Sequence, residues 1–113
     1  PGIQKHRGET CQGIQVHVTS ADDLHSLLLG MVVITAAALT SGSKFQWRTE
    51  EYEFVTEPIA IDLLWGAADF RETVDRLRNS GGDPAQALEG LLRSRESERL
   101  MFIEQRESCL LYP

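Results

Sequence analysis

The sequence predicts a single α+β domain, a small β-sheet packed against a central helix and a C-terminal helical half. Three observations carry that expectation. Residues 12–19 alternate, with Ile14, Val16 and Val18 on one side and Gln15, His17 and Thr19 on the other, the pattern of a half-buried strand. Residues 22–40 are almost uncharged after Asp23 and space Leu24, Leu27, Leu28, Met31, Val32, Ile34, Ala38 and Leu39 as a wide helical stripe. Residues 84–107 repeat Leu88, Leu91, Leu92, Phe102 and Ile103 at helical spacing.

The elements follow in order. Residues 1–10 are polar, with Gly2, Gly8 and a basic Lys5-His6-Arg7, and read as an irregular lead-in. The strand over 12–19 comes next. Ser20, Asp22 and Asp23 supply N-cap candidates and negative charge for the helix over 22–40. With so few charges that helix is expected to be buried on much of its circumference, with Gly30 allowing close packing on the sheet. Thr40-Ser41-Gly42-Ser43 ends it. Residues 44–48 read as extended, with Phe45 and Trp47 on one side, and residues 52–55 as a second extended run, with Tyr52 and Phe54 on one side. Pro58 starts a short helix over 59–65 that Gly66 stops. A helix over 67–79 buries Phe70, Val74 and Leu77, and Ser80-Gly81-Gly82 stops it. Asp83-Pro84 is an N-cap followed by a proline at the first helical position. The helix over 84–107 is charged through Arg93 to Arg99, a solvated section with Arg95 and Arg99 as an unfavourable i,i+4 pair and Glu96 paired with neighbouring arginines. The tail, Cys109 to Tyr112, is expected to pair as a strand or dock on the core.

Composition excludes several classes of function. The chain has 113 residues, enough for one domain with one core, and no internal repeat marks a second. Its net charge of −6 is the wrong sign for electrostatic binding to nucleic acid or an anionic membrane surface. The apolar run from Leu24 to Leu39 is too short and too interrupted to insert into a membrane. Cys11 and Cys109, with no Cys-x-x-Cys spacing, read as two unpaired, mostly buried thiols, with one disulfide closing a long loop as the alternative, and the scattered His6, His17 and His25 make no zinc pattern. No metal and no organic cofactor is implied. The chain opens Pro1-Gly2-Ile3 without a methionine and reads as a piece of something longer.

The sequence offers few candidates for catalytic chemistry. A glycosidase needs two carboxyls about 5–10 Å apart across a cleft. Only Glu53, beside Tyr52, and Asp62, among apolar neighbours, stand in unusual contexts. Each has a simpler reading: Glu53 as an outward strand residue, Asp62 as a helix acid bonding a backbone amide or an arginine. Cys11 and His17 are six residues apart on one strand, roughly 20 Å, too far for a nucleophile pair. No nucleophile elbow or phosphate-binding loop is present. No catalytic residue is assigned. His17 is the best polar candidate, with a strand histidine satisfied by a carbonyl as the alternative.

Several motifs stand together: His6-x-Gly8-Glu9-x-Cys11-x-Gly13-Ile14-Gln15-Val16-His17-Val18-Thr19, Phe45-x-Trp47, Tyr52-Glu53-Phe54-Val55, Ala60-Ile61-Asp62-Leu63-Leu64-x-Gly66, Phe102-x-x-x-Arg106, and Leu110-Leu111-Tyr112-Pro113. In this order and spacing the chain resembles the C-terminal domain of the NamZ/YbbC-like exo-β-N-acetylmuramidases, which remove terminal N-acetylmuramic acid from peptidoglycan fragments. The resemblance implies a two-domain parent in which a larger, Rossmann-like N-terminal domain carries catalysis and the cleft lies between the domains. It implies two partners, the N-terminal domain of the parent chain and a muramic-acid-containing glycan. It also implies a parent acting outside the cytoplasmic membrane. It places Gln15, His17, Tyr52 and Glu53 on the cleft side as substrate-binding residues, and Asp62 and Arg106 as structural. Leu24 and Ser26 stand where the family has an aromatic and a proline, Ser94 or Arg95 near its tryptophan, and Cys109 at its aromatic, which marks a divergent member. A non-catalytic protein-interaction domain is the alternative reading.

Overall fold

The computed structural model describes residues 6–11 and 13–111. Five helices carry the fold: α1 (Ser26–Thr40), α2 (Ala60–Trp65), α3 (Asp69–Ser80), α4 (Pro84–Ser94) and α5 (Glu96–Glu107). The described residues are 56% helical and 2% strand, and they hold no sheet. The expected α+β architecture is therefore wrong. The chain is α-helical, and the strands expected over 12–19 and 52–55 fail for different reasons.

Residues 13–18 form neither helix, turn nor bridge, and none of their backbone groups is hydrogen-bonded within the described chain. The alternating pattern is real, but a strand requires a partner ladder and none is supplied. Residue 12 lies outside the described residues. The Tyr52–Val55 run is not a strand but a tight turn. Tyr52 and Val55 exchange both backbone bonds, at 2.9 and 3.0 Å, and the central Glu53 and Phe54 have φ of 50° and 65°. Two left-handed central residues make a type I′ turn. Tyr52 and Phe54 therefore do not share a strand face.

The core forms where α1, α3 and α4 meet. Met31 and Ala38 from α1, Phe70 and Val74 from α3, and Leu88 and Leu91 from α4 are buried together. Trp65 packs obliquely on Phe70 at 5.4 Å. The expected extended run over 44–48 pairs with no strand among the described residues and begins in a 3-10 turn over Gly42–Lys44; its Phe45 and Trp47 lie against this core, edge to face at 4.9 Å, and Trp47 Nε1 donates to Asp75 at 2.9 Å. Arg78 stacks over Phe45 and donates to the carbonyls of Gly42 and Phe45, tying the 42–47 connection to α3.

Helix ends show which local signals acted. Asp83 caps α4, accepting from the N–H groups of Ala85 and Gln86, with Pro84 next to it. Gly66 ends α2 in the left-handed region at φ 90°, its N–H on the Asp62 carbonyl at 2.8 Å. α1 starts at Ser26, four residues later than expected. Leu24 N–H turns back to the Ala21 carbonyl, consuming the acidic segment in a turn, and His25 becomes the cap, its Nδ1 accepting from Leu28 N–H at 3.2 Å. The expected 84–107 helix is two helices. The Ser94 hydroxyl donates to the Leu91 carbonyl at 2.7 Å and Arg95 N–H to the Leu92 carbonyl, a tightened last turn that ends α4.

α1 departs most from expectation. Only Met31, Thr35 and Ala38 are fully buried, while Leu27, Val32 and Leu39 are exposed. A Cβ at Gly30 would meet no atom within 4 Å, so close packing does not explain that glycine. The sheet that was to cover the other face is absent. The surface shows the consequence. A folded monomer of this mass exposes about 6,200 Å², whereas this chain exposes 9494 Å². Its radius of gyration is 17.2 Å, against about 13 Å for a compact chain of this length.

Candidate functional site

Gln15 and His17 lie on the unpaired 13–18 segment, both exposed. Among the described residues no hydrogen bond engages either side chain, so His17 is not satisfied by a neighbouring carbonyl. Tyr52 and Glu53 lie on the type I′ turn, Tyr52 half-buried and Glu53 exposed. The turn is held from one side by Arg48, whose guanidinium donates to the Glu51 carbonyl at 2.9 Å and lies 5.4 Å from the Tyr52 ring centroid. Glu53 and Phe54 thus project from the tip of a braced turn, and Phe54 is 94% exposed. The backbone left-handedness of two non-glycine residues costs roughly 1–2 kcal/mol each.

One depression borders the 13–18 segment, and a second lies between α1 and α2. The first, of about 1020 Å³, is lined by Gly13 and Ile14, by the outer face of α1 at Val33, Ala36 and Ala37, and by Phe45. The second, of about 230 Å³, is an apolar groove lined by Leu27, Gly30, Met31, Ile61, Leu64 and Trp65. Gln15, His17, Tyr52 and Glu53 line neither. The four residues fall in two pairs, one on each of two surface elements, and do not converge on a pocket.

The acids set within the fold are engaged. Asp62 receives a bidentate pair from Arg71, with Nε 2.9 Å from Oδ1 and Nη2 2.8 Å from Oδ2. This was one of the two readings of Asp62 from sequence. The hydrogen bond to Asp62 raises the Arg71 guanidinium above its ordinary value. Asp69 accepts from Trp65 Nε1 at 2.6 Å and from Arg95 at 2.7 and 3.0 Å. Burial pushes its carboxyl up, but the Arg95 and Trp65 hydrogen bonds, the Arg95 charge and the Phe70 N–H outweigh that and hold it below the ordinary range. Arg95 also lies over the Trp65 ring. Sequence reasoning set Arg95 against Arg99 on one helix. The kink between α4 and α5 instead turns Arg95 to Asp69, while Arg99 pairs with Glu96.

A carboxylate clamped by an arginine is a poor general acid, because the paired cation favours the ionised form. Among the described residues no three His, Cys, Asp or Glu side chains cluster to hold a metal ion. Cys11 and Cys109 are both free thiols, but exposed rather than buried as the sequence suggested. No helix among the described residues is long and apolar enough to cross a membrane. The C-terminal tail turns back after α5 and leaves Leu110 and Leu111 exposed rather than docked, and Tyr112 lies outside the described residues.

Comparison with curated proteins and with solved structures gave no match. Comparison with protein families gave one, to the family described as exo-beta-N-acetylmuramidase NamZ, C-terminal, over residues 1–112. That match spans the unpaired segment, the braced turn and all five helices, and it places the chain in the family of NamZ C-terminal domains.

Proposed function

We propose that this chain is the accessory, substrate-cleft domain of an exo-β-N-acetylmuramidase. In this reading it is not catalytic by itself. It packs against the N-terminal domain of the same protein, and Gln15, His17, Tyr52 and Glu53 face a muramic-acid-containing glycan. The observation that carries the reading is the family match over residues 1–112. Two features support it. Asp62 and Asp69 are held in ion pairs by Arg71 and Arg95, a structural use of these two acids rather than an acid–base one. Gln15, His17 and Glu53 have no hydrogen-bonding partner in the described chain, so their polar groups are available to a ligand.

A second reading, a protein-interaction domain that touches no sugar, draws on the exposed Ile14, Val16 and Val18 beside His17 and on His17 lining neither depression described above.

An NMR titration with N-acetylmuramic acid and a muramyl disaccharide separates the two. It is run on the isolated chain and on the two-domain parent. Shifts clustered on Gln15, His17, Tyr52 and Glu53 in the parent support the cleft wall. Shifts confined to the other domain, with His17→Ala and Tyr52→Phe leaving KM unchanged, favour the interaction domain.

A further inference from the structure

We propose that residues 13–19 add as an edge strand to a β-sheet of the polypeptide preceding this domain in the same protein. The inference rests on the reading of the chain as the C-terminal part of a longer muramidase. It goes beyond that reading by naming the surface that joins the two parts and the chemistry of the joint.

Four observations lead there. The backbone N–H and C=O groups of residues 13–18 make no hydrogen bond within the described chain and lie on exposed residues, so they are free to pair with the edge of a sheet. The side chains alternate, and the apolar set is exposed: Ile14 73%, Val16 49% and Val18 54%. Residues 11–20 contain no Asp, Glu, Lys, Arg or Pro, so the segment lacks the charges and prolines by which free edges resist pairing. The start of the segment stands over the outer face of α1, where Gly13 and Ile14 border Val33, Ala36 and Ala37. A sheet extended by this strand would lie over the exposed side of α1 and cover part of the surplus surface.

Among the described residues of this chain there is no strand to receive the segment. A second copy is the poorer partner, because each copy carries a net charge of −6 and the two repel on approach.

The test is residue-resolved amide hydrogen exchange on the two-domain parent and, in parallel, on this chain alone. A strand added by one edge bonds the N–H groups of every second residue. The expected result is period-two protection over residues 13–19 in the parent, on the order of 100-fold at alternate amides, and none in the isolated chain. Exchange at the unprotected rate throughout overturns the proposal. So does uniform protection, which signals burial without a ladder. Alternating protection in the isolated chain that grows with its concentration overturns it in favour of a second copy. Muramidase activity measured on the same parent sample separates the two claims. Activity without protection defeats strand addition and keeps the proposed function, and protection without activity does the reverse.

Discussion

Arg71 and Asp62 bind α3 to α2 through a two-pronged contact, Nε to Oδ1 at 2.9 Å and Nη2 to Oδ2 at 2.8 Å. Asp62 is nearly buried, and Arg71 keeps about a quarter of its side chain in solvent. Removing the carboxylate strands a partly buried guanidinium. Asp62→Ala should cost about 1–3 kcal/mol, below the range for a fully buried pair because water reaches Arg71. Adding Arg71→Ala should restore part of the loss. Urea unfolding of the two single variants and the double variant checks this, and additive losses would mean the pair is not coupled.

Asp69 and Arg95 make stability depend on acid. The Asp69 carboxyl is held below its ordinary value of 3.8. The folded state therefore binds a proton less readily than the unfolded one, and stability rises with pH across that window. The contribution is fully present above the unfolded value and is lost as pH falls through the lower folded value. Asp69→Asn should flatten the acid limb of the thermal midpoint below about pH 4. An unchanged acid limb would show that Asp69 titrates normally.

The Glu53-Phe54 turn carries strain that better turn residues would remove. Asn-Gly is the pair suited to two left-handed positions. Glu53→Asn with Phe54→Gly should stabilise the chain by about 1–2 kcal/mol. In the proposed two-domain parent the same variant should raise KM, because it deletes Glu53 from the proposed cleft side. Calorimetry and steady-state kinetics read the two effects separately. A variant that is less stable would show that the turn is not of this type in solution.

Thr35 is buried on α1 and, among the described residues, no group hydrogen-bonds its Oγ1. Thr35→Val keeps the shape and removes the unmatched hydroxyl. It should be neutral or stabilising by about 1 kcal/mol. Destabilisation beyond that range in urea unfolding would show that the hydroxyl is satisfied in solution.

By itself the sequence determined the local devices and the family. Asp83-Pro84, Gly66 and the Phe70-Val74-Leu77 stripe act over a few residues, so their helix signals survive whatever packs around them. The ordered motifs from His6 to Leu111 identified the family without any fold. The candidate site was legible as residue types only: the chain sets Gln15 and His17 on one element and Tyr52 and Glu53 on another, and spacing does not say how two elements meet. Tertiary structure decided the rest. Alternation over 12–19 reports which side chains agree with one another but not whether a partner strand exists, and the described residues supply none. The apolar girth of α1 likewise promised burial, but burial needs a second surface, and α3 and α4 cover only the Met31-Thr35-Ala38 stripe. Arg95 reads from spacing as a repelled neighbour of Arg99. The break after Ser94 delivers it instead to Asp69, 26 residues away, because a salt bridge depends on where helices turn and not on their period.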